Sequence, residues 1–258
     1  MEALRIIVLI KAVPSNVASP HLARTGDRVS GKFGPLVMNE SDEYALEHAL
    51  ALSETSSGEV VILSAGGTAS EKVLAKGLAR GAAKAVRVGA SPLDPEVTAT
   101  LLAGAARQVG YDLILTGVES SDVMASRVGI STAEKLGIPF VYSVREIKPG
   151  ESDGTLIVSK ELGGGTTQIV AVKLPALLCV QACSIPLSLV SVTRLLRARN
   201  QPVERLTTGE VGLEESQNPG TGLKLLSVFH PEKNRAKIIT GTPAEVAARI
   251  ITLIEEAL

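Results

Sequence analysis

Short apolar runs alternate with amphipathic stretches of about a dozen residues from Leu4 to Gly137, and few folds can absorb that alternation. Leu4 to Ile10, interrupted only by Arg5, is an apolar run rich in β-branched residues. A strand that is apolar at successive positions leaves no face for water, so it must be covered on both sides. Between 40 and 53, Ala45, Leu46, Ala49, Leu50 and Leu52 fall at helical spacing. Glu59 to Leu63 predicts the next strand, which runs into the turn Ala65-Gly66-Gly67. An amphipathic helix over 69 to 80 follows, then a strand over Ala85 to Val88, a helix over Asp94 to Val109 and a strand over Asp112 to Thr116. The spacing predicts a further helix over 123 to 136, stopped by Gly137 with Pro139 just beyond. Strands joined through helices pair in parallel.

After Pro139 the rhythm changes. Val141 to Ile147, Thr155 to Glu161 and Thr166 to Lys173 read as strands joined by Pro149-Gly150 and Gly163-Gly164-Gly165, the pattern of antiparallel pairs. Ala176 to Gln181 suits a buried strand, and 190 to 199 suits a short helix carrying Arg194, Arg197 and Arg199. From Asn200 to Gly222 the chain is polar, rich in Thr, Gly and Glu, and without sustained period, as in an extended segment with little core of its own. Thr242, Pro243 and Glu245 then stand at the N-cap, N1 and N3 of a helix reaching Leu258, with Val246, Ile250, Leu253 and Ile254 on its packing face. The fold class is α/β: a Rossmann-like open, mostly parallel sheet with an added antiparallel section and an extended C-terminal arm. The expected division is 1–199 and 200–258.

The core must be aliphatic, because aromatics are 2% of the 258 residues and Trp is absent. A net charge of −1 gives no electrostatic reason to expect nucleic acid or an anionic membrane. Cys179 and Cys183 lie in or beside an apolar run and read as buried thiols of a reducing compartment. In a strand, four residues would separate them by more than about 12 Å, at roughly 3.3 Å per residue. The first residues run directly into a strand, which predicts no leader. No apolar run reaches the ~18 residues a membrane span needs, so a cytoplasmic protein is expected.

No catalytic constellation stands out, and no Cys/His cluster has metal-ligand spacing. His21, His48 and His230 read as surface or packing residues, and the common glycine-rich phosphate loops are absent. The best candidate site is Gly117-Val118-Glu119-Ser120-Ser121-Asp122 and the residues through Gly129, which follow a buried strand at the carboxyl edge of the sheet. Bare amides and the positive end of a helix dipole suit an anion there. Ser120, Ser121 and Ser126 offer hydroxyl donors to a phosphate, Asp122 an acceptor for a ribose hydroxyl, and Arg127 a nearby cation. An ordinary cap, with Ser121 or Asp122 at the N-cap, fits the same residues. The helix after Asn39 has Glu40, Asp42 and Glu43 in its first turn, which would repel a phosphate, so that turn suits the neutral adenosine end; a plain Asn39 N-cap fits as well. Ala65-Gly66-Gly67 allows a flat ring to approach the backbone.

Several short stretches recur in a definite order. Ile6-Val8-Ile10-Lys11-Val13-Pro14 leads to Met38-Asn39, followed by Glu43-Ala45-Glu47-Ala49. Ser64-Gly66 precedes a helix, Gly77-Ala79-Gly81-Ala82 precedes a strand, and Asp112-Leu113-Ile114-Gly117 comes next. Ser121-Asp122 to Val128-Gly129, Ala133-Glu134-Leu136-Gly137-Pro139 and Lys173-Leu174-Pro175-Ala176-Leu177 complete the series. Together, over most of residues 1 to 199, they resemble the electron transfer flavoprotein beta subunit, the family that includes the FixA proteins.

The resemblance implies a heterodimer with an alpha subunit that holds most of a redox-active FAD, while the beta subunit keeps AMP or, in bifurcating relatives, a second FAD. It implies electron transfer from a dehydrogenase to a quinone reductase or another acceptor, without catalytic residues in this chain. Carried onto this sequence, the nucleotide site comprises Leu9, Asn39, Glu40, Ser41, Asp42, Ala65, Gly66, Gly117, Ser120, Ser121, Asp122, Val123, Met124, Ala125, Ser126, Arg127, Val128, Gly129 and Thr132. The phosphate falls near Ser126 to Gly129, and 200–258 becomes an arm on the alpha subunit. Arg127 stands where the family commonly has Gln, and Asp122-Val123-Met124-Ala125 replaces the Asp-Gly-Asp-Thr of bifurcating members, which leaves AMP, FAD or an empty site open and favours AMP. The family grips dehydrogenases through a loop that here reads Ser184-Ile185-Pro186-Leu187-Ser188. Ile185, Leu187, Leu189 and Val192 are its candidate docking residues, or they pack on the chain's own sheet. The alternatives are a stand-alone adenine-nucleotide sensor resembling the universal stress proteins, and a nucleotide hydrolase or adenylating enzyme on a similar sheet.

Overall fold

The computed structural model describes residues 3–15, 35–90, 94–182, 185–213 and 238–256. They fall into two compact units: the first holds everything through Leu213, and the second is one helix near the C-terminus.

The first strand, well inside the sheet of the first unit, is Arg5–Leu9 (β1). Its alternation sorts the side chains: Ile6 and Val8 enter one core layer, Ile7 and Leu9 the other, all of them buried. A short ribbon of Ala12–Pro14 (β2) and Leu36–Met38 (β3) pairs antiparallel and leads into Glu40–Ser56 (α1). Glu59–Ala65 (β4), Glu71–Arg80 (α2), Lys84–Val88 (β5), Pro95–Val109 (α3) and Leu113–Gly117 (β6) follow in the expected alternation. The helix before β7 is Val128–Leu136 (α4). Leu46, Ala49, Leu52 and Leu74 of α1 and α2 cover one face of the sheet. Leu101, Leu102, Ala105 and Ala133 of α3 and α4 cover the other. Both faces are therefore dry, which is why the strands carry apolar residues without alternation.

Phe140–Pro149 (β7), Thr155–Gly163 (β8), Thr166–Lys173 (β9), Ala176–Val180 (β10), Val192–Ala198 (α5) and Glu204–Leu206 (β11) complete the unit. The sheet has nine strands in the order β11-β5-β4-β1-β6-β10-β7-β8-β9. All pairings from β11 to β7 are parallel, and β8 and β9 add the antiparallel section. Cys179 is buried in β10, while Cys183 lies outside the described residues, as do His21, His230 and residues 214–222 of the polar stretch. No helix among the described residues is long and apolar enough to cross a membrane.

Two expectations change. The helix foreseen over 123 to 136 begins only at Val128. Met124 and Ser126 take positive φ of 51° and 52°, and an L-residue in that region cannot propagate a right-handed helix. Ser121 and Asp122 are therefore not caps; Arg127 is the N-cap. The segment after 199, read as extended with little core of its own, adds an edge strand to the sheet: β11 pairs with β5, and Leu206, Val211 and Leu213 are buried beside α3. The remaining unit is Pro243–Glu255 (α6), whose capping box of Thr242 and Glu245 is present as foreseen. No residue of α6 is buried, and Ile250, Ile251 and Ile254 are exposed.

Gly104 records how closely the segment after β11 packs. A Cβ placed there would sit 2.1 Å from the Val211 carbonyl oxygen. Mid-helix Gly→Ala ordinarily stabilises by up to about 1 kcal/mol. Here the added methyl meets backbone, so Gly104→Ala is expected to destabilise by about 1–3 kcal/mol, read as a lower urea midpoint; a raised midpoint would contradict the packing.

Candidate functional site

The chain leaves β1 toward β4 and β5 on one side of the sheet order, then returns to β6 and β10 on the other. Helix α1, after β1, covers one face, and α4, after β6, covers the other. Connections that part in this way open a crevice at the carboxyl ends of the two strands, where folds of this class bind ligands. A cavity of about 210 Å³ lies there.

Asp42, in the first turn of α1, ties the two strand ends together. One carboxylate oxygen accepts from the Gly117 N–H at 2.9 Å and the other from the Lys11 N–H at 2.8 Å. Gly117 has to be glycine: a Cβ would lie 2.5 Å from Asp42 Oδ1 and 2.8 Å from Ser41 Oγ. Asn39 occupies the N-cap position of α1 but makes no cap bond, so the plain-cap reading is corrected. Its amide donates to the Glu119 carbonyl at 2.8 Å and its oxygen accepts from the Ser121 N–H at 3.1 Å. The Ser41 hydroxyl donates to the same Glu119 carbonyl at 2.8 Å. Helix α1 therefore holds the 119–121 turn in place with three bonds.

The polar side chains of the loop are already engaged. Lys11 Nζ lies 2.7 Å from Asp122 and 3.1 Å from the Ser120 hydroxyl. The Ser126 hydroxyl donates to Glu119 at 3.1 Å. Arg127 donates to Glu96 at 3.0 Å. The start of α4 has neither an acid in its first turn nor a side-chain cap, so its leading amides keep their bonding capacity. Gly129 lets this turn settle onto the sheet, since a Cβ would meet Thr116 at 2.7 Å and Cys179 at 2.8 Å.

Of the residues singled out in the sequence, Leu9, Asn39, Asp42, Ala65, Gly117, Ser120, Asp122, Val123, Ala125, Ser126, Arg127, Val128 and Gly129 line the cavity. Glu40, Ser41, Gly66, Ser121, Met124 and Thr132 do not. Ser41 and Ser121 instead brace the loop, Met124 is exposed, and Thr132 is buried with its hydroxyl donating to the Val128 carbonyl. Val118 and Glu119, part of the Gly117–Asp122 stretch singled out in the sequence, line it too, whereas Lys11 and Thr116, with Ile10, Pro95, Thr98 and Leu102, were not foreseen. Lys11 directly follows β1's apolar run, a position that puts a side chain at the sheet's carboxyl edge; Pro95 and Thr98 follow the Asp94 cap of α3.

The loop singled out for docking divides. Leu189 is 97% exposed and Val192 73%, whereas Ile185 and Leu187 are half-buried. Ser188 is clamped by buried Glu47, to which it donates through its N–H at 3.0 Å and its hydroxyl at 2.7 Å. Leu196, one helical turn beyond Val192, is also exposed and had no clear signal in the sequence.

Burial pushes the Asp42 carboxyl up to about 7, against the opposing pull of the Lys11 N–H, the Asn39 side chain, the Gly117 N–H and the Lys11 charge. Burial likewise pushes the Cys179 thiol up to about 12, which makes it inert as a nucleophile. Because the folded chain favours protonated Asp42, this group stabilises fully below its unfolded value near 3.8, and the contribution is lost as pH rises through about 7. Asp42→Asn removes that titration. The unfolding free energy of the variant relative to wild type should rise from pH 5 to pH 7 and level off above about pH 8; denaturant titrations showing a constant difference would refute the assignment.

Comparison with known proteins agrees with this architecture. The family described as the electron transfer flavoprotein domain matches residues 33–210. The electron transfer flavoprotein subunit beta of Methylophilus methylotrophus is 31% identical, covering 98% of each chain. The subunit CarD of the caffeyl-CoA reductase-Etf complex of Acetobacterium woodii is 30% identical over 98% of each. Protein FixA of Azorhizobium caulinodans is 28% identical over 84% of this chain and 80% of its own. The chain belongs to the electron transfer flavoprotein family, on its beta-subunit and FixA side.

Proposed function

We propose that this chain is the beta subunit of a heterodimeric electron carrier and that it holds AMP, in preference to a second FAD, in the cavity between β1 and β6. The observation that carries the reading is the cavity's polarity. In its lining Asn39 and Asp42 suit an uncharged nucleoside, and the acid-free start of α4 suits a phosphate. The residues present fit a mononucleotide. Leu9, Ile10 and Val118 give apolar lining for a base, Asp122 an acceptor for a ribose hydroxyl, and the Val128 and Gly129 amides donors for phosphate. Asp42, Glu119 and Asp122 face only Lys11 and Arg127 across the lining, which disfavours the longer charged chain of FAD.

The nucleotide is structural in this reading, and the chain performs no reaction on it. A flavin held mostly by an alpha subunit supplies the acceptance and release of electrons. The chain's own work is recognition. Leu189 and Val192 present apolar side chains to a donor dehydrogenase, beside Arg194 and Arg197, and a quinone reductase or another acceptor takes the electrons on. The exposed Ile250, Ile251 and Ile254 of α6 face the alpha subunit. The expected location is the cytoplasm.

Denaturing the heterodimer copurified with its alpha subunit should release one AMP and one FAD per pair, identified by mass spectrometry. Two FAD, or a homodimer carrying ATP without a flavoprotein partner, would refute the reading. Leu189→Asp should slow reduction of the heterodimer by its donor dehydrogenase roughly tenfold or more, with the flavin spectrum and subunit pairing unchanged; an unaltered rate would remove the docking role.

A further inference from the structure

We propose that Arg127 is the residue that recognises the nucleotide's phosphate, and that Glu96 holds it aside until that phosphate arrives. The proposal rests on reading the cavity as an adenine-nucleotide site, and it assigns the discrimination between a nucleoside monophosphate and the bare nucleoside to one side chain.

Two cations line the cavity, and they are held differently. Lys11 is fixed between Asp122 at 2.7 Å and Ser120 at 3.1 Å, so its charge is already answered inside the site. Arg127 stands at the N-cap of α4, next to Val128 and Gly129, which also line the cavity. Among the described residues its guanidinium has one protein partner, Glu96, at 3.0 Å. The Arg127 side chain is 59% exposed, and an ion pair in water is weak and readily exchanged. A guanidinium has five donors in a planar fork, and the oxygens of a terminal phosphate match that fork two at a time.

Glu96 does not need Arg127. Its carboxylate also accepts from the Ser131 hydroxyl at 2.6 Å and lies 3.5 Å from Lys135, both on α4. When Arg127 leaves, the carboxylate keeps these two partners and the α3–α4 packing keeps its polar link. The Ser131 bond, helped by Lys135 and Arg127, holds the Glu96 carboxyl below its usual range, so it stays ionised and able to retain a cation at neutral pH. The cavity also needs a movable positive group. Glu119 and Asp122 stand in its lining, and with Lys11 already committed an incoming dianion would otherwise meet carboxylates. Exchange of Glu96 for phosphate supplies the missing charge without moving the backbone.

The test is calorimetric titration of AMP and of adenosine into the nucleotide-freed heterodimer, for wild type, Arg127→Gln and Glu96→Gln, with thermal midpoints measured in parallel. Arg127→Gln should weaken AMP roughly ten- to a hundredfold, the loss of a charged hydrogen-bonding group, and leave adenosine unchanged. Glu96→Gln keeps an acceptor for Ser131 and frees Arg127, so AMP should tighten about two- to fivefold, the range of an exposed ion pair, again with adenosine unchanged. If Arg127→Gln does not fold, the Glu96→Gln arm decides alone. Arg127→Gln binding AMP like wild type, or losing AMP and adenosine alike, would overturn the role of Arg127 and leave the site standing. Glu96→Gln weakening AMP would overturn the latch. Wild type binding neither ligand would overturn the site and the inference together.

Discussion

The carboxylate of Asp42 joins the ends of the two strands between which the sheet reverses its direction of growth. By accepting from the Lys11 and Gly117 amides, it ties the loop after β1 to the loop after β6. Both amides stand just past the point where the β1–β6 ladder ends, at Leu9 and Thr116. A buried, unpaired N–H is costly, so one side chain that answers two of them shapes everything around it. Gly117 must lack a side chain, Ser41 must be small, and Asn39 and Ser41 are left positioned to catch the Glu119 carbonyl. The crevice exists because these bonds hold the 117–121 backbone back from the space between the strands.

Helix α1 serves two regions at once. Its first turn builds the cavity wall, and Glu47, in its second turn, reaches the opposite way to hold Ser188. Arg80 of α2 answers Glu43 at 2.7 Å and lies 3.7 Å from Glu47, so these α1 acids are partly compensated. The acidic character of α1, which in the sequence counted against phosphate, is thus largely architectural: it anchors one loop from the helix's first turn and another from its second.

Much of this was legible in the chain itself, and the misses have physical causes. Runs such as Ile6 to Ile10 and Leu113 to Leu115 declare a sheet covered on both faces, because no other environment tolerates them. The carboxyl-edge position of Gly117 follows directly from that. The late start of α4 was hidden because left-handed backbone at Met124 and Ser126 carries no glycine to announce it. Three-residue strands such as β3 and β11 are set by what they lie beside, and Glu204–Leu206 has no period of its own. Lys11 and Glu96 escaped notice because their partners lie far along the chain: Lys11 reaches Ser120 and Asp122, and Glu96 reaches Arg127 and Ser131. Spacing along a sequence cannot reveal that.

The clamp on Ser188 has a consequence for how such a protein changes over generations. The tip of this loop is secured by a backbone amide and a hydroxyl, and the leucine beside it supports nothing else in the fold. Under the docking role proposed for Leu189 and Val192, structural duty and customer recognition fall to neighbouring but separate positions. On that proposal a lineage could exchange the side chain at 189 or 192, and with it the partner, while the scaffold stays untouched.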